Sequence, residues 1–532
     1  ARGPAYDPRK DHPLLIPTTG YAGPEWTLND LVWAVDQARD GKIASICFHG
    51  VPCRSYPWVS TENEVFVGYM RYLRDAGCTV ISMAELTRYV NPEWVRGDPY
   101  ESIDRHCRFS AVDPRCEYRV DPLGLDQPTP SFSWKIQAKE RSQAQSAYQV
   151  IVSSSRENLD AGIGDRWDSQ KVPSSSTTDI AYSGDQLRSG EKCWWKVLTW
   201  DEVDIPGTDS FPATFEMGLL GGEDWKASWI SADPSVSAPL LRKQLDLSAS
   251  VTRARAYVSG LGYYELYVNG DRVGDQVLDP ATTYYHNDQP FELGSRVLYA
   301  THDVTRHLQE GSNAIGILLG NGWYSAEDDV PPSPSHREPY GEQPIALLQL
   351  EVELENGEFI RFVTDTTWKT SAGPIRYNDY SHGEIYDAQL ELPGWSEPGF
   401  NDASWENSKT VSPPSGALRA QTMLPIRVVR TIAPVEVTNP EPGVTTFDFG
   451  QNMTGWTRLQ VTGPQGSKIA IRHGHGVYGD GRLDNRSNMY AFPDDPELSL
   501  EGYADGSVGF EHGGEGFHHG ARQIDEYILS GN

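Results

Sequence analysis

The sequence predicts a mainly β, multidomain chain: an immunoglobulin-like sandwich and further β domains, with a small α/β segment at the N-terminal end. Period-2 alternation of apolar and polar residues recurs from about Cys116 onward. Turn residues (Ser, Gly, Pro, Asn-Gly) part these runs at short intervals. Helical spacing of apolar residues is confined to the first 95 or so positions.

Taken in order, Thr27 to Arg39 places Leu28, Leu31, Val32 and Val35 at helical spacing behind Thr27 as N-cap. Ile43 to Phe48 reads as a short buried strand ending at His49. Thr61 to Ala76 reads as a second helix with Gly77 as its C-terminal stop, and Cys78 to Met83 as a second strand. His49 at the C-terminal end of an α/β strand occupies the place where such folds put their sites. Residues 96–116 read as a linker. Residues 117–222 carry SFSW, AYQVIV and CWWKV, the alternation of an immunoglobulin or fibronectin III sandwich. Residues 223–415 form a larger β domain, in which Arg255 to Val268 alternates as one strand and Asn269-Gly270 suits a two-residue hairpin turn. PIALLQLEVEL turns at 355-ENGEF into IRFV, a further hairpin. Residues 416–532 open with strands over 427–437, 445–449, 455–461 and 468–472, then lose periodicity.

At 532 residues the chain predicts three or four domains. Its net charge of −29 is spread along the sequence. Such a surface repels phosphate backbones and excludes nucleic acid as a partner. No run of 18 apolar residues exists, which excludes a membrane-spanning helix. Sixteen Trp and 26 Tyr supply flat rings for sugar C–H faces and equally for ordinary cores, where most of the Trp are expected. The opening ARGPAYDPRK is polar, without the apolar stretch of a signal peptide. Cys107 and Cys116 are spaced to bridge a loop in an oxidising compartment, and Asn452 and Asn485 head glycosylation sequons. The cysteine spacing and the sequons favour secretion.

Two resemblances extend this picture. HPLLIPTTGY, DGKIASICFHGVP and YPWVSTENEVFVGYMRYLRDAGCTVISMAEL resemble the C-terminal end of a NodB-type polysaccharide deacetylase, over residues ~1–95. That implies a partial α/β barrel in which His49 is the remnant of the general acid; the family's metal ligands and catalytic Asp have no counterpart here. GYYELYVNGDRVGD, ATHDVTRHLQEGSNAIGILLGNGWY, GEIYDAQLELPGWSEPGFNDASW and FDFGQNMTGWTRLQVTGPQGSKIAIRHG resemble the N-terminal half of α-L-rhamnosidases of glycoside hydrolase family 78, over residues ~117–530. That resemblance implies an immunoglobulin-like domain, a carbohydrate-binding jelly-roll and a partial β-sandwich leading into an (α/α)6 catalytic toroid. Only Gly531 and Asn532 follow Ser530. The expectation is therefore binding of a rhamnose-containing carbohydrate without hydrolysis; the alternatives are a portion of an active rhamnosidase, a deacetylase-related fusion or a ligand-free spacer.

Four residues are the sugar-binding candidates. In GNGWY, Asn321 offers a donor and an acceptor and Trp323 a ring, between glycines that allow close backbone approach; the competing role is a Trp buried at a sandwich edge. Glu384 and Asp387 in GEIYDA are hard oxygen ligands suited to sugar hydroxyls or to calcium, through which related jelly-rolls bind rhamnose; loop structure is the competing role. At i and i+3 on a strand they point to opposite faces, which makes them poor acid–base partners. Tyr263, Tyr264 and Tyr267 form a weaker group, alternate members of which are expected in the core. His512, His518 and His519 with Glu511 and Glu515 have metal-ligand composition in a stretch without periodicity.

Overall fold

A computed structural model describes residues 5–7, 19–22, 26–39, 41–48, 51, 61–81, 85–89, 109–138, 141–285, 294–325, 340–380, 383–479, 481–484 and 524–531. The chain forms two compact units. One comprises residues 1–122, 129–186 and 192–215; the other comprises 123–128, 187–191 and 216–532. Among the described residues no helix is long and apolar enough to cross a membrane.

In the first unit, Gly20–Ala22 pairs parallel with Ile46–Phe48, and the helix Leu28–Asp36 lies between them in sequence. Thr27 caps that helix: its hydroxyl accepts from the Asp30 amide while the Asp30 carboxylate accepts from the Thr27 amide. The second helix, Asn63–Asp75, buries Tyr69 and Leu73 against Leu31. Gly77 takes a φ of +66°, the left-handed stop the sequence predicts. Residues 78–81 carry no strand, and His49 lies outside the described residues.

The same unit holds a β-sandwich. One sheet pairs Phe109–Cys116 with Ser131–Ala138 and then Ile180–Ala181; the other runs Ala213–Glu216, Lys192–Trp200, Ala147–Ser153, Trp167–Asp168. Cys193, Trp195, Val197 and Thr199 alternate inward along one strand, and Phe132 meets Trp195 at 4.5 Å between ring centroids. The stretch read as linker thus contains the strand Phe109–Cys116. Its apolar alternation is interrupted because Asp113, at φ 53°, and Pro114 sit in a bulge between Val112 and Arg115, where proline costs no ladder hydrogen bond.

In the second unit, two sheets face each other over an apolar core that includes Ile230, Leu241, Val258, Ile317, Leu348 and Trp368. The six-stranded sheet runs Asp271–Arg272, Tyr263–Val268, Gly311–Gly320, Pro239–Leu247, Lys369–Ala372, Glu406–Asn407. The other sheet centres on Ile345–Leu354 and Val251–Leu261. The alternation from Arg255 to Val268 therefore belongs to two strands in different sheets. They part at Gly262, where a Cβ would come within 1.9 Å of the Asn321 carbonyl oxygen. Alternation persists through this crossing, so periodicity alone does not reveal it. The Asn269-Gly270 turn has φ of 53° and 90°, the two positive values of a type I′ hairpin.

Beyond the jelly-roll, Ile375–Asp379 and Gly383–Asp387 form a hairpin whose second strand runs parallel to Ile524–Ile528, which in turn pairs with Lys468–Arg472. Residues 455–461, expected as a strand, have no ladder partner among the described residues. Alternation supplies a face, and a strand also needs a neighbour for its amides.

Candidate functional site

Of the predicted sugar-binding residues, Asn321, Trp323 and Glu384 lie about one corner of the second unit, while Asp387 caps a turn at the end of the Glu384 strand. Along Tyr263–Val268, Tyr264, Leu266 and Val268 face the core while Tyr263, Glu265 and Tyr267 stand on the outer face. The Tyr264 hydroxyl lies 2.6 Å from His302 Nε2, and burial holds that imidazole down to about 4, neutral at physiological pH. On the outer face, Gly316 and Gly320 leave room for other parts of the chain. A Cβ at Gly316 would meet the Trp395 ring at 2.7 Å, and one at Gly320 would lie 3.3 Å from Asn378 Oδ1.

Asn321 is buried, 3 % exposed, and its polar groups are engaged within the chain. Its backbone amide donates to Asn378 Oδ1 at 2.7 Å, its Nδ2 donates to the Asn378 carbonyl at 2.9 Å, and its Oδ1 accepts from the Ser325 hydroxyl at 2.9 Å. Asn378 also donates to Ser237 Oγ at 2.8 Å. Asn321 therefore latches the 375–387 hairpin to the GNGWY corner. Trp323 behaves differently: it is 39 % exposed and packs against Tyr380, 51 % exposed, with ring centroids 3.9 Å apart. The Gly322 Cα that brings Trp323 round this corner sits against Tyr263, since a Cβ there would lie 2.8 Å from that ring. The outcome is a solvent-facing aromatic pair of the kind that stacks on apolar sugar faces.

Glu384 and Asp387 do lie on one strand, as the sequence implies, and serve different ends. Asp387 Oδ1 accepts from the Gln389 amide at 3.0 Å and caps the short turn Ala388–Leu390. Glu384 is half-buried opposite Asn378, and its amide donates to Asp525 Oδ1 at 3.0 Å. Burial first, then the nearby charges of Asp525 and Glu265, push the Glu384 carboxyl up to about 7. His473 Nε2 stands 3.2 Å from Asp525 Oδ2 on the far side. Among the described residues no three His, Cys, Asp or Glu side chains gather as a metal-ligand set. His512, His518, His519, Glu511 and Glu515 lie outside the described residues.

A separate cavity of about 360 Å³ is lined by Leu219, Trp225, Trp229, Pro414, Leu418 and Arg419, among others. Arg419 is the one charged residue of its lining, so it holds no carboxylate for acid–base work. Tyr380 and this Trp-lined cavity escaped sequence reasoning. Tyr380 stands in a polar run, Trp225 carries no motif of its own, and Trp229 stands in SWI, which resembles the rhamnosidases without pointing to a cavity.

Comparison with known proteins places these domains. Residues 111–221 match the Rha78A-like N-terminal immunoglobulin domain, residues 249–430 the α-L-rhamnosidase N-terminal domain, and residues 438–532 the bacterial α-L-rhamnosidase concanavalin-like domain. The chain carries domains of the α-L-rhamnosidases of glycoside hydrolase family 78. An α-L-rhamnosidase of Formosa agariphila is 33% identical over 380 residues, covering 66% of this chain and 39% of its own length. One from an Alteromonas species is 36% identical over 388 residues, covering 70% of this chain and 41% of its own. The solved structure of the α-L-rhamnosidase from Dictyoglumus thermophilum superposes with a TM-score of 0.67 at 38% identity, over 79% of this chain and 44% of that one. The chain thus spans about two fifths of the curated relatives it matches. Trp323 and Glu384 both lie inside the matched α-L-rhamnosidase N-terminal domain. The three domain matches begin at residue 111, so residues 1–95 lie outside them.

Proposed function

We propose that the β-domains of this chain recognise rhamnose-containing carbohydrate as accessory domains of an α-L-rhamnosidase, and that they do not themselves cleave the glycosidic bond. The exposed Trp323–Tyr380 pair carries this reading: two rings held at a corner that Asn321 fixes from beneath. The relatives bear the name α-L-rhamnosidase, which makes a terminal α-L-rhamnosyl group the ligand class. Inverting hydrolysis needs an acid and a base about 6.5–9.5 Å apart across a water. Glu384 and Asp387 point to opposite faces of their strand, and Asp387 is occupied as a cap.

Titrating L-rhamnose into the chain while following Trp fluorescence, with and without calcium, tests the binding half. A saturable change that Trp323→Ala abolishes is expected; a flat response in both conditions leaves the domains as spacers. Release of the aryl group from an aryl α-L-rhamnoside is expected to stay at the buffer blank, and clear release sinks the second half. A second reading, that these domains belong to an active α-L-rhamnosidase, draws on the two-fifths coverage of the relatives. A polypeptide extended to the relatives' length is expected to release the aryl group. For residues 1–95, the parallel pairing of Gly20–Ala22 with Ile46–Phe48 around a helix favours a polysaccharide-deacetylase remnant. Acetate release from an acetylated chitooligosaccharide with added zinc is expected to stay at the blank.

A further inference from the structure

We propose that Cys116 and Cys193 are a disulfide-forming pair that ties together the two sheets of the immunoglobulin-like sandwich when the chain meets a disulfide oxidant. Cys116 stands directly opposite Phe132 in the Phe109–Cys116/Ser131–Ala138 ladder, so both side chains leave the same face of that sheet. Phe132 reaches across the core to Trp195, 4.5 Å away between ring centroids. Cys193 precedes Trp195 by one inward-facing step on Lys192–Trp200. The two thiols therefore enter the core from opposite sheets, beside one shared aromatic contact. They are 1 % and 0 % exposed, and neither forms a disulfide in the structure.

Two further features fit a cross-sheet pair. Burial pushes the Cys116 thiol up, and a charge on Cys193 would push it further, so the two sulfurs sense each other electrostatically. As thiols they pack as small apolar groups; as a disulfide they would join strands far apart in sequence, where a cross-link restricts the unfolded chain most.

The reaction balances with glutathione disulfide as oxidant. One protein thiolate attacks a glutathione sulfur, the glutathione S–S bond breaks, and one glutathione thiolate leaves. The second protein thiolate attacks the protein sulfur of this mixed disulfide and expels the other glutathione. Two protein thiols have then lost two protons and two electrons, and the oxidant has gained them as two glutathione thiols. Burial keeps Cys116 protonated, so the native chain reacts slowly and oxidation proceeds during folding.

The test refolds the full chain from denaturant in a reduced/oxidised glutathione buffer, blocks remaining thiols with iodoacetamide, and maps peptides without reduction. A linked peptide pair containing Cys116 and Cys193 is expected as the main disulfide, lighter by two hydrogens than its reduced components. Cys116→Ser and Cys193→Ser should each abolish it; Cys116→Ala and Cys193→Ala serve where the serine variants do not fold. The oxidised chain should melt about 5 °C or more above the reduced one, a gain that reductant removes. Recovery of Cys116 alkylated, or joined to another cysteine, in a chain with native far-UV circular dichroism overturns the pairing. A Cys116–Cys193 link without a gain in Tm overturns its role in tying the sheets.

Discussion

Replacing Glu384 by Gln should stabilise the second unit at pH 8 and leave it nearly unchanged at pH 4. The carboxyl is held near 7 against an ordinary value of 4.5, by burial first and then by the charges of Asp525 and Glu265. Asp525 faces it from the parallel strand Ile524–Ile528, with His473 beyond, while Glu265 faces it from Tyr263–Val268 and is itself paired with Arg272 at 3.2 Å. The folded chain therefore holds this proton more tightly than the unfolded chain. The sign follows: the group's contribution is fully present below about pH 4.5 and is lost as pH rises toward 7. At about 1.36 kcal/mol per pH unit, a shift of this size costs at most ~3.4 kcal/mol, and partial solvent access brings that nearer to ~2 kcal/mol. Gln keeps the shape and cannot ionise. Calorimetry across pH 4 to 8 should show the wild-type transition of this unit falling relative to Glu384→Gln, by roughly 3–5 °C at the alkaline end. Hydrogen exchange, corrected for intrinsic rates, should show the same contrast in Gly383–Asp387 and Ile524–Ile528. Asp525→Asn makes a useful counterpart, because it weakens the acceptor for the Glu384 amide and the partner of His473, and should destabilise. A Glu384→Gln variant no more stable than wild type at pH 8 would refute the desolvation argument.

Glu216 is buried at 4 % side-chain exposure between two arginines, with Arg253 at 2.6 Å and Arg255 at 2.7 Å. Glu216→Ala leaves those guanidinium groups without their shared partner and should cost about 3–5 kcal/mol by denaturant unfolding. Gly262→Ala places a methyl group where the Asn321 carbonyl stands, so the variant should be recovered mostly insoluble or with a collapsed unfolding midpoint. Asn321→Ala removes the latch on Asn378 and should cost about 1–3 kcal/mol by the same measurement. Trp323→Ala, on the exposed side of that corner, should change stability by less than about 1 kcal/mol, so the two variants separate holding the corner from presenting it.

The contrast between Asn321 and Trp323 shows how far residue types in a motif speak for themselves. GNGWY carries a polar amide and an indole, and chemistry alone makes both fit for a sugar. Which of them faces solvent depends on Asn378, 57 positions away, and no local pattern encodes that pairing. The same holds for Glu384. GEIYDA identifies a strand and the opposite facing of its two acids, but the rise of one carboxyl needs Asp525, 141 positions on, and Glu265 from another sheet. Local signals fared better where the cause is local: the Thr27/Asp30 capping box, the left-handed Gly77 and the Asn269-Gly270 turn are each fixed by residues within a few positions of one another. Gly262 lies between these cases. The glycine is visible in the sequence, yet its function, letting a strand change sheets against the Asn321 carbonyl, appears only once both sheets exist. In a β-rich chain the face of a residue is a local property and its partner is a global one. Sequence reasoning thus reaches the strands and the family motifs, while the site emerges from the packing that brings 263–267, 321–323 and 378–384 to one corner.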